Sequence, residues 1–412
     1  MPCSSCAASG APASCPGSGP WPGRPCRAPS RPTPPEPARL PSPAADPLVC
    51  CASGGRELGG EERIGRYIVE GVLGVGGMGE VLRARIETVG GVRRPVALKL
   101  VRKDLAGQPS FARLFVEEMK VAMALSHANV VQAFDVGTVD GRWFLAMEYV
   151  EGLDLAALLA RRQRGRALPL GVALYIAVEA LQGLDYAHRR TGEDGCPLAI
   201  VHRDVSPGNL LLSREGEVKV ADFGVAKSTL RDVGSVVGRL KGKIPYMPPE
   251  QVRGDPVDAR ADLYAVAAVL YEMVAGRRLV GGDGAAAIPR VLEGPDRALA
   301  SVRGAVPRGL HAILAKALSL DPRRRHATAG QVRRELAALA VEQRVLLSSA
   351  ELAAEVADAV HARDPGADVP TLVDGEPGAG AAFDERLGQA LAALASDEPY
   401  SVYRTVVEET DP

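Results

Sequence analysis

The stretch His202-Arg203-Asp204-Val205-Ser206-Pro207-Gly208-Asn209, followed by Asp222-Phe223-Gly224, decides how the rest of this chain is interpreted. It places three oxygen-bearing side chains close together in the sequence. Asp204 has the chemistry of a base that accepts a proton from a hydroxyl nucleophile. Asn209 and Asp222 offer oxygen ligands of the type that Mg²⁺ prefers. The stretch therefore predicts a site that combines proton acceptance with metal binding.

Two upstream segments add to this prediction: Gly74-Val75-Gly76-Gly77-Met78-Gly79 and Val96-Ala97-Leu98-Lys99. The glycine spacing alone is weak, because similar spacing occurs in dinucleotide-binding turns. Such a turn opens a helix, whereas Gly79 leads into the strand-like residues 81–86. A strand, a glycine turn and a second strand favour a loop whose backbone N–H groups approach phosphates.

Together these segments resemble the Hanks-type (eukaryotic-like) bacterial serine/threonine protein kinases. The resemblance runs from about Tyr67 to about Ala340. It implies an α+β, two-lobed protein-kinase-like fold. A small antiparallel β-sheet lobe with one helix would span 67–147, a hinge 148–152, and a larger, mainly α-helical lobe 153–340.

The resemblance implies transfer of the γ-phosphate of ATP to serine or threonine hydroxyls of proteins, including autophosphorylation, with Mg²⁺ or Mn²⁺ as the metal. The implied partners are ATP and protein substrates, and a dimer is one arrangement for trans-autophosphorylation. The alternative is a catalytically weak pseudokinase that acts as a nucleotide-binding signalling scaffold. Transfer to a small molecule is disfavoured, because residues 238–250 resemble a docking loop for a protein substrate.

The resemblance also implies roles for nucleotide-site residues. Lys99 would grip the α- and β-phosphates, and Glu118 would form the ion pair with Lys99 that marks an active state. Met147 would be the gatekeeper before the hinge. Asp154 matches a ribose-binding position, with capping of the following helix as the alternative. Nucleotide contacts are implied for Gly74, Val75, Gly76, Gly77, Met78, Gly79, Val81, Ala97, Lys99, Glu148, Val150, Asp154 and Leu211.

In the large lobe, Asp204 matches the catalytic base of the family, and Asn209 and Asp222 match its metal ligands. Other matches are structural: His202 and Phe223 as packing residues, Glu250 paired with Arg325, and Asp262 as the anchor of the catalytic loop. Removing one partner of a largely buried pair such as Glu250–Arg325 costs on the order of 3–5 kcal/mol.

The chain departs from the family pattern at two positions. Most serine/threonine kinases carry lysine two residues after the catalytic aspartate, where this chain has Ser206, and Gly208 does not supply the arginine common in tyrosine kinases. The family usually has threonine at the position of Lys243. We hypothesise that hydroxyl and cation are exchanged, so that Lys243 reaches the γ-phosphate region while Ser206 bonds Asp204.

Arg203 before Asp204 resembles kinases whose activation loop is ordered by phosphorylation through an arginine–phosphate pair. The candidate acceptors are Ser228, Thr229 and Ser235. The alternative, that these are ordinary loop hydroxyls of a constitutively active enzyme, stays open.

Composition excludes other classes of function. The formal net charge of -1 gives no field for nucleic-acid binding, and no stretch approaches 18 uncharged apolar residues, so we predict no membrane span and a cytoplasmic protein. From their composition we predict that residues 1–60 form a disordered Pro/Ser/Gly/Cys-rich leader. It contains six of the seven cysteines, and a zinc or redox site at Cys3 and Cys6 is the weaker alternative.

Periodicity predicts the elements between these motifs. Strands are predicted at 67–69, 81–86, 95–101, 130–137 and 143–149, and helices at 111–126, 155–164, 169–188, 259–275, 309–318 and 329–342. We predict that the Ala-rich tail 341–412 is helical or partly disordered, with candidate helices at 349–361 and 382–395. We expect it to pack on the large lobe or to bind a partner, and Thr405 and Thr410 are candidate acceptor sites, with a disordered end of the chain as the alternative.

Overall fold

The computed structural model describes residues 62–76, 79–87, 91–102, 109–162, 166–192, 194–223, 242–282 and 284–361. They form a small lobe built on an antiparallel sheet and a larger lobe that is mainly helical. This is the α+β architecture that the sequence predicts. The leader, the candidate phosphorylation sites and the candidate helix 382–395 lie outside the described residues.

The sheet of the small lobe is antiparallel, in the order β1–β2–β3–β4–β6–β5. Side chains alternate between the two faces of each strand. One face of β3 and β4 is buried in an apolar cluster, so Lys99 and Ala97 lie on the other face. The strands are β1 (Arg63–Ile64), β2 (Tyr67–Gly76), β3 (Gly79–Glu87), β4 (Arg93–Val101), β5 (Ala133–Val139) and β6 (Arg142–Glu148).

One helix, α1 (Pro109–Ala124), packs on this sheet through Phe115 and Met119, which lie in a cluster with Val101. Its predicted range, 111–126, is shifted by two residues. The strand predicted for 130–137 was wrong at its start, because Val130 and Val131 pair with Val220 of the large lobe before β5 begins. Apolar alternation cannot distinguish these two pairing partners.

The large lobe is built around α3 and α5, which are buried on most sides. Three short helices, α4, α6 and α7, were not predicted; each has a proline at or next to its start, namely Pro249, Pro289 and Pro295. The helices are α2 (Leu155–Arg161), α3 (Leu170–His188), α4 (Pro249–Arg253), α5 (Arg260–Ala275), α6 (Ile288–Glu293), α7 (Asp296–Val302), α8 (Arg308–Ala317), α9 (Ala329–Glu342) and α10 (Ser349–His361).

A second, three-stranded antiparallel sheet lies at the start of the large lobe and was not predicted. Its strands are β7 (Gly152–Asp154), β8 (Leu210–Ser213) and β9 (Val218–Val220), in that order. Each strand has only three or four residues, too few for a visible period-two pattern.

Helix α10, beyond the predicted domain end at 340, packs on the large lobe against α2, α3, β7 and β8. Leu352 and Val356 are fully buried there. Gly216 has φ of 80°, and a Cβ at this position would lie 1.9 Å from the carbonyl oxygen of Ser349. The close approach therefore requires glycine. Within the described ranges, none of the helices has the length and apolarity needed to cross a membrane.

Replacing Leu352 by alanine is expected to lower the free energy of unfolding by about 2–5 kcal/mol, because a buried leucine leaves a cavity. Denaturant unfolding measures this change. Leu346→Ala is the matched control, since Leu346 is 65% exposed, and it should cost no more than about 0.5 kcal/mol. Equal effects of the two substitutions would show that α10 is not docked in solution.

Candidate active site

Lys99 extends from β4 into the space between the lobes and bonds to both of them. Its ammonium lies 3.2 Å from Oε1 of Glu118 on α1 and 2.9 Å from Oδ1 of Asp222 in the large lobe. Burial by itself lowers the pKa of Lys99, but the carboxylates of Asp222 and Glu118 outweigh it and raise the pKa, so the ammonium stays charged. The structure thus brings together the predicted ion pair and the predicted metal ligand.

Asp222 sits in a strained backbone conformation. Its φ of 57° lies in the left-handed region, which a residue other than glycine adopts at a cost. Burial favours the neutral carboxyl, yet the Lys99 ammonium holds the pKa of Asp222 below its usual value. The carboxylate is therefore ionised and ready to accept a cation. Phe223, the next residue, packs beside His202 with 4.6 Å between ring centroids.

The loop that carries Asp204 is anchored by the buried carboxylate of Asp262 on α5. Its oxygens accept the backbone N–H groups of His202 at 2.9 Å and Arg203 at 2.8 Å. Nε2 of His188 lies 2.8 Å from the same carboxylate. Burial raises the pKa of Asp262, but the bond from His188 leads the contacts that lower it below its usual value. Arg203 has φ of 62°, so this anchor holds a strained turn in place.

The Asp204 carboxylate is bonded by two side chains that sequence analysis selected. Nδ2 of Asn209 donates to Oδ2 of Asp204 at 3.0 Å and to its backbone oxygen at 2.7 Å. Nζ of Lys243 donates to Oδ2 of Asp204 at 2.7 Å. The candidate base is 7% exposed, and these donors fix its orientation.

Ser206 does not lie as predicted. Among the described residues, no hydrogen bond joins the Ser206 hydroxyl to Asp204. Ser206 has an extended backbone, with φ of -156°, and precedes a single helical turn at Pro207–Asn209. Its short side chain is buried, and Lys243 takes the place beside Asp204. The structure therefore shows only one part of the hypothesised exchange. The Lys243 ammonium lies beside Asp204, but among the residues described the Ser206 hydroxyl does not bond to Asp204.

The glycine loop has the predicted strand–turn–strand form. Strand β2 ends at Gly76 and β3 begins at Gly79, while Gly77 and Met78 lie outside the described residues. Gly79 has φ of 155°, and a Cβ there would lie 1.7 Å from the carbonyl oxygen of Leu100. Only glycine fits this approach of the two strands. In the register, Val81 faces Lys99 directly, so both side chains lie on the cleft face.

Asp154, after the hinge, caps α2: its Oδ1 accepts the backbone N–H of Ala157 at 2.7 Å. The alternative role as a helix cap is therefore confirmed, and the ribose contact stays a prediction. Burial raises the pKa of Asp154. Asp154 pairs directly with Leu211 across β7 and β8, so these two predicted nucleotide contacts share one face of the second sheet.

Lys219 lies on the same face of the second sheet and was not selected from the sequence. It pairs with Leu211 across β8 and β9, so Asp154, Leu211 and Lys219 lie side by side. Its neighbours Val218 and Val220 are fully buried in the large lobe. A lysine between two buried valines was the available signal, because alternation places its side chain on the opposite face.

Glu250 and Arg325 form the predicted pair in a bidentate geometry. Nη1 and Nη2 of Arg325 donate to Oε1 and Oε2 of Glu250 at 2.6 and 2.8 Å. The guanidinium also stacks on the ring of Tyr264 at 4.9 Å. The pair joins the start of α4 to the segment before α9, and so supports the loop that carries Lys243.

The activation-loop candidates Ser228, Thr229 and Ser235 lie outside the described residues, so their modification stays a prediction. Nε of Arg203 is buried, with no hydrogen-bond partner in the described part of the chain. Arg203 as a whole is only partly buried, and a guanidinium group with an unbonded Nε fits the hypothesis of an arginine–phosphate pair.

The donor set between Asp204 and Asp222 fits a divalent cation. Asn209 directs its Nδ2 toward Asp204, which leaves its amide oxygen available. Asp222 uses Oδ1 toward Lys99, which leaves its second carboxylate oxygen. Two hard oxygen ligands, completed by phosphate oxygens and water, suit Mg²⁺. Asn209 and Asp222 are thus the residues that would hold the metal.

Comparison with known proteins places this geometry in a family. The family model for the protein kinase domain matches residues 67–335. The chain therefore belongs to the protein kinase family and has the protein kinase fold. The crystal structure of the kinase domain of Mycobacterium tuberculosis PknI is similar, with a TM-score of 0.52 and 29% identity, covering 68% of this chain and 98% of that chain.

Two similar proteins come from bacteria. Tyrosine-protein kinase MasK of Myxococcus xanthus is 39% identical over 267 residues, which cover 64% of this chain and 41% of the relative. Serine/threonine-protein kinase PknB of Mycobacterium tuberculosis is 36% identical over 280 residues, which cover 66% of this chain and 42% of the relative. The matched part thus spans about two fifths of the length of these relatives.

Proposed function

We propose that this chain is an active protein kinase that transfers the γ-phosphoryl group of ATP to serine or threonine hydroxyls of proteins, its own included, in bacterial signalling. Protein substrates are its partners in this proposal, and Mg²⁺ is the metal. Serine/threonine specificity is supported by similarity to kinases with that name. One similar protein is named a tyrosine kinase, so the acceptor is part of the test.

One observation carries the proposal: Lys99 is bonded to Glu118 and Asp222 at the same time. This joins the small-lobe helix, the sheet and the metal-binding residue in the arrangement that phosphoryl transfer requires. A scaffold that only bound nucleotide would not need all three groups in register with Asp204.

Bound Mg²⁺–ATP supplies the phosphoryl group and the cationic charge that draws electrons from it. In the proposal, Lys99 holds the phosphates, and Asn209 and Asp222 hold the metal. Asp204 orients the acceptor hydroxyl and takes its proton, while Lys243 places a positive charge beside the reacting groups. Glu118 acts through Lys99 by fixing its position.

The experiment is phosphoryl transfer from labelled ATP with Mg²⁺, with and without a general protein substrate. Phosphoamino-acid analysis and mass spectrometry then identify the acceptors. Label on serine or threonine supports the proposal, and label on tyrosine alone replaces its acceptor class. ADP binding without any transfer would support the other candidate, a pseudokinase scaffold, which the serine at position 206 favours.

Replacing Lys243 by methionine is expected to lower kcat for phosphoryl transfer by about 10²-fold, the usual cost of removing one preorganised charge or donor. The reason is its contact of 2.7 Å with the candidate base. Steady-state kinetics with labelled ATP measure the change. Lys316→Met, an exposed lysine on α8, is the matched control and should leave kcat unchanged.

The exchange hypothesis is tested by Ser206→Lys and Lys243→Thr, made singly and together. If a cation can act from either loop, the double variant is more active than the product of the two single effects predicts. A double variant at or below that product would remove support for the exchange. Lys243 would then serve only to orient Asp204.

A further inference from the structure

Lys219 is a largely buried charged residue on β9, next to the start of the hinge. Its side chain is 12% exposed, although it lies on a strand whose other residues belong to the large-lobe core. Burying an ammonium group is costly unless it finds charged and polar partners. The contacts of the Lys219 ammonium therefore show which groups stabilise its charge.

The Lys219 ammonium has two partners from outside its own sheet. Nζ donates to Oε1 of Glu148 at 3.1 Å and to the carbonyl oxygen of Ala128 at 3.0 Å. Glu148 ends β6 and begins the hinge, and Ala128 lies in the loop after α1. One side chain of the large lobe thus connects three segments of the chain.

Glu148 is fixed from other directions as well. Its Oε1 also accepts the backbone N–H of Gln132 at 2.8 Å, and its own backbone N–H donates to the carbonyl oxygen of Gln132 at 2.9 Å. Without Lys219 the carboxylate keeps a single backbone donor among these contacts. The lysine thus completes the set that holds the last residue of β6 in one orientation.

The loop 128–131 is already attached to β9 by its backbone. Asn129 accepts the N–H of Val220 at 2.9 Å, and Val131 donates to the carbonyl oxygen of Val220 at 2.9 Å. This segment is therefore a rigid base. Through Glu148, Lys219 links the hinge to this rigid segment. Asp222 follows Lys219 by three residues along the chain.

We propose that Lys219 is a positioning residue that fixes the hinge through Glu148 and thereby sets the affinity of the site for adenine nucleotides. This role rests on the proposed function, because it requires that the nucleotide binds at the hinge. It adds to that function the side-chain contact that holds the adenine-binding backbone in place. The backbone groups of Glu148 and Val150 are the predicted adenine contacts. Loosening Glu148 lets that backbone move and weakens its hydrogen bonds to the base.

The test is the dissociation constant for ADP, measured by calorimetry on the full chain. Lys219→Met keeps an apolar stem of similar length but removes the charge, and it is expected to weaken ADP binding by about fivefold, within the range for coupled neighbours. Lys219→Arg keeps a donor and should remain within about twofold of wild type. The control Lys316→Met removes an exposed lysine of the same lobe.

Glu148→Gln tests the other end of the contact. If Lys219 acts through Glu148, the double variant Lys219→Met/Glu148→Gln binds ADP no more weakly than the weaker single variant. Additive losses would overturn the proposal, as would unchanged ADP binding in Lys219→Met. A general folding defect would lower the unfolding temperature of Lys219→Met and Lys219→Arg alike, and that result would also overturn it.

ADP binding separates this proposal from the proposed function. If wild type binds ADP but transfers no phosphate, the kinase activity fails and the role of Lys219 is still decided by the binding constants. If transfer is found while all variants bind ADP equally, the role of Lys219 fails and the kinase stands. A wild-type chain that binds no ADP contradicts both.

Discussion

Replacing Asp204 by asparagine is expected to reduce phosphoryl transfer by about 10³-fold while ADP binding is retained, within the range for loss of a positioned proton acceptor. Asparagine has nearly the same shape as aspartate. Its carbonyl oxygen can still accept the bonds that Asn209 and Lys243 donate to Oδ2. What is lost is the negative charge that orients the acceptor hydroxyl and takes its proton.

The measurement is single-turnover transfer from labelled ATP, so that product release does not hide the chemical step. Asp358→Asn, on the exposed side of α10, is the matched control, because it makes the same chemical change outside the cleft. Unfolding temperatures should agree for wild type and both variants. Transfer at the wild-type rate in Asp204→Asn would assign the proton acceptor to another group.

The second large effect is expected at the buried pair Glu250–Arg325. Arg325→Met should lower the free energy of unfolding by about 3–5 kcal/mol, because it leaves the Glu250 carboxylate in the protein interior without its partner. The side chains are 0% and 7% exposed, so water cannot replace the lost bonds. Denaturant unfolding, followed by circular dichroism, gives the value.

Two further variants separate pairing from mere packing. The double variant Glu250→Leu/Arg325→Met removes both charges, and it should be more stable than Arg325→Met alone. Arg324→Met removes the neighbouring arginine, which is 82% exposed, and it should cost no more than about 0.5 kcal/mol. If Arg324→Met and Arg325→Met were equally destabilised, the buried pair would not be the cause.

Several parts of the site could be predicted from the sequence because their residues lie near each other along the chain. Asp204 and Asn209 are five residues apart and are joined by a direct hydrogen bond. The glycine loop from Gly74 to Gly79 could be predicted because its glycines lie within six consecutive residues. In these cases local backbone geometry determines the contact, and local sequence records it.

Other parts could not be predicted because the partners are far apart and the signal is short. The strand predicted from residue 130 begins three residues late, since Val130 and Val131 pair with Val220 rather than with the small-lobe sheet. The three-stranded sheet has strands too short to show a period. Ser206 was predicted to bond to its near neighbour Asp204, but in the described part of the chain the distant Lys243 bonds to that carboxylate instead.

By itself the sequence determined the class of protein, since Asp204, Asn209 and Asp222 at their spacing, with Lys99 and the glycine loop, specify oxygen ligands and a cation for phosphates. Only the tertiary structure decided which cation lies beside Asp204, which segments Lys219 connects, and that α10 belongs to the large lobe. The residues of a motif lie close together along the chain, so a motif can be recognised in the sequence itself. The contacts of Lys243, Lys219 and α10 join residues that are distant along the chain, and only packing of the whole core brings them within bonding distance.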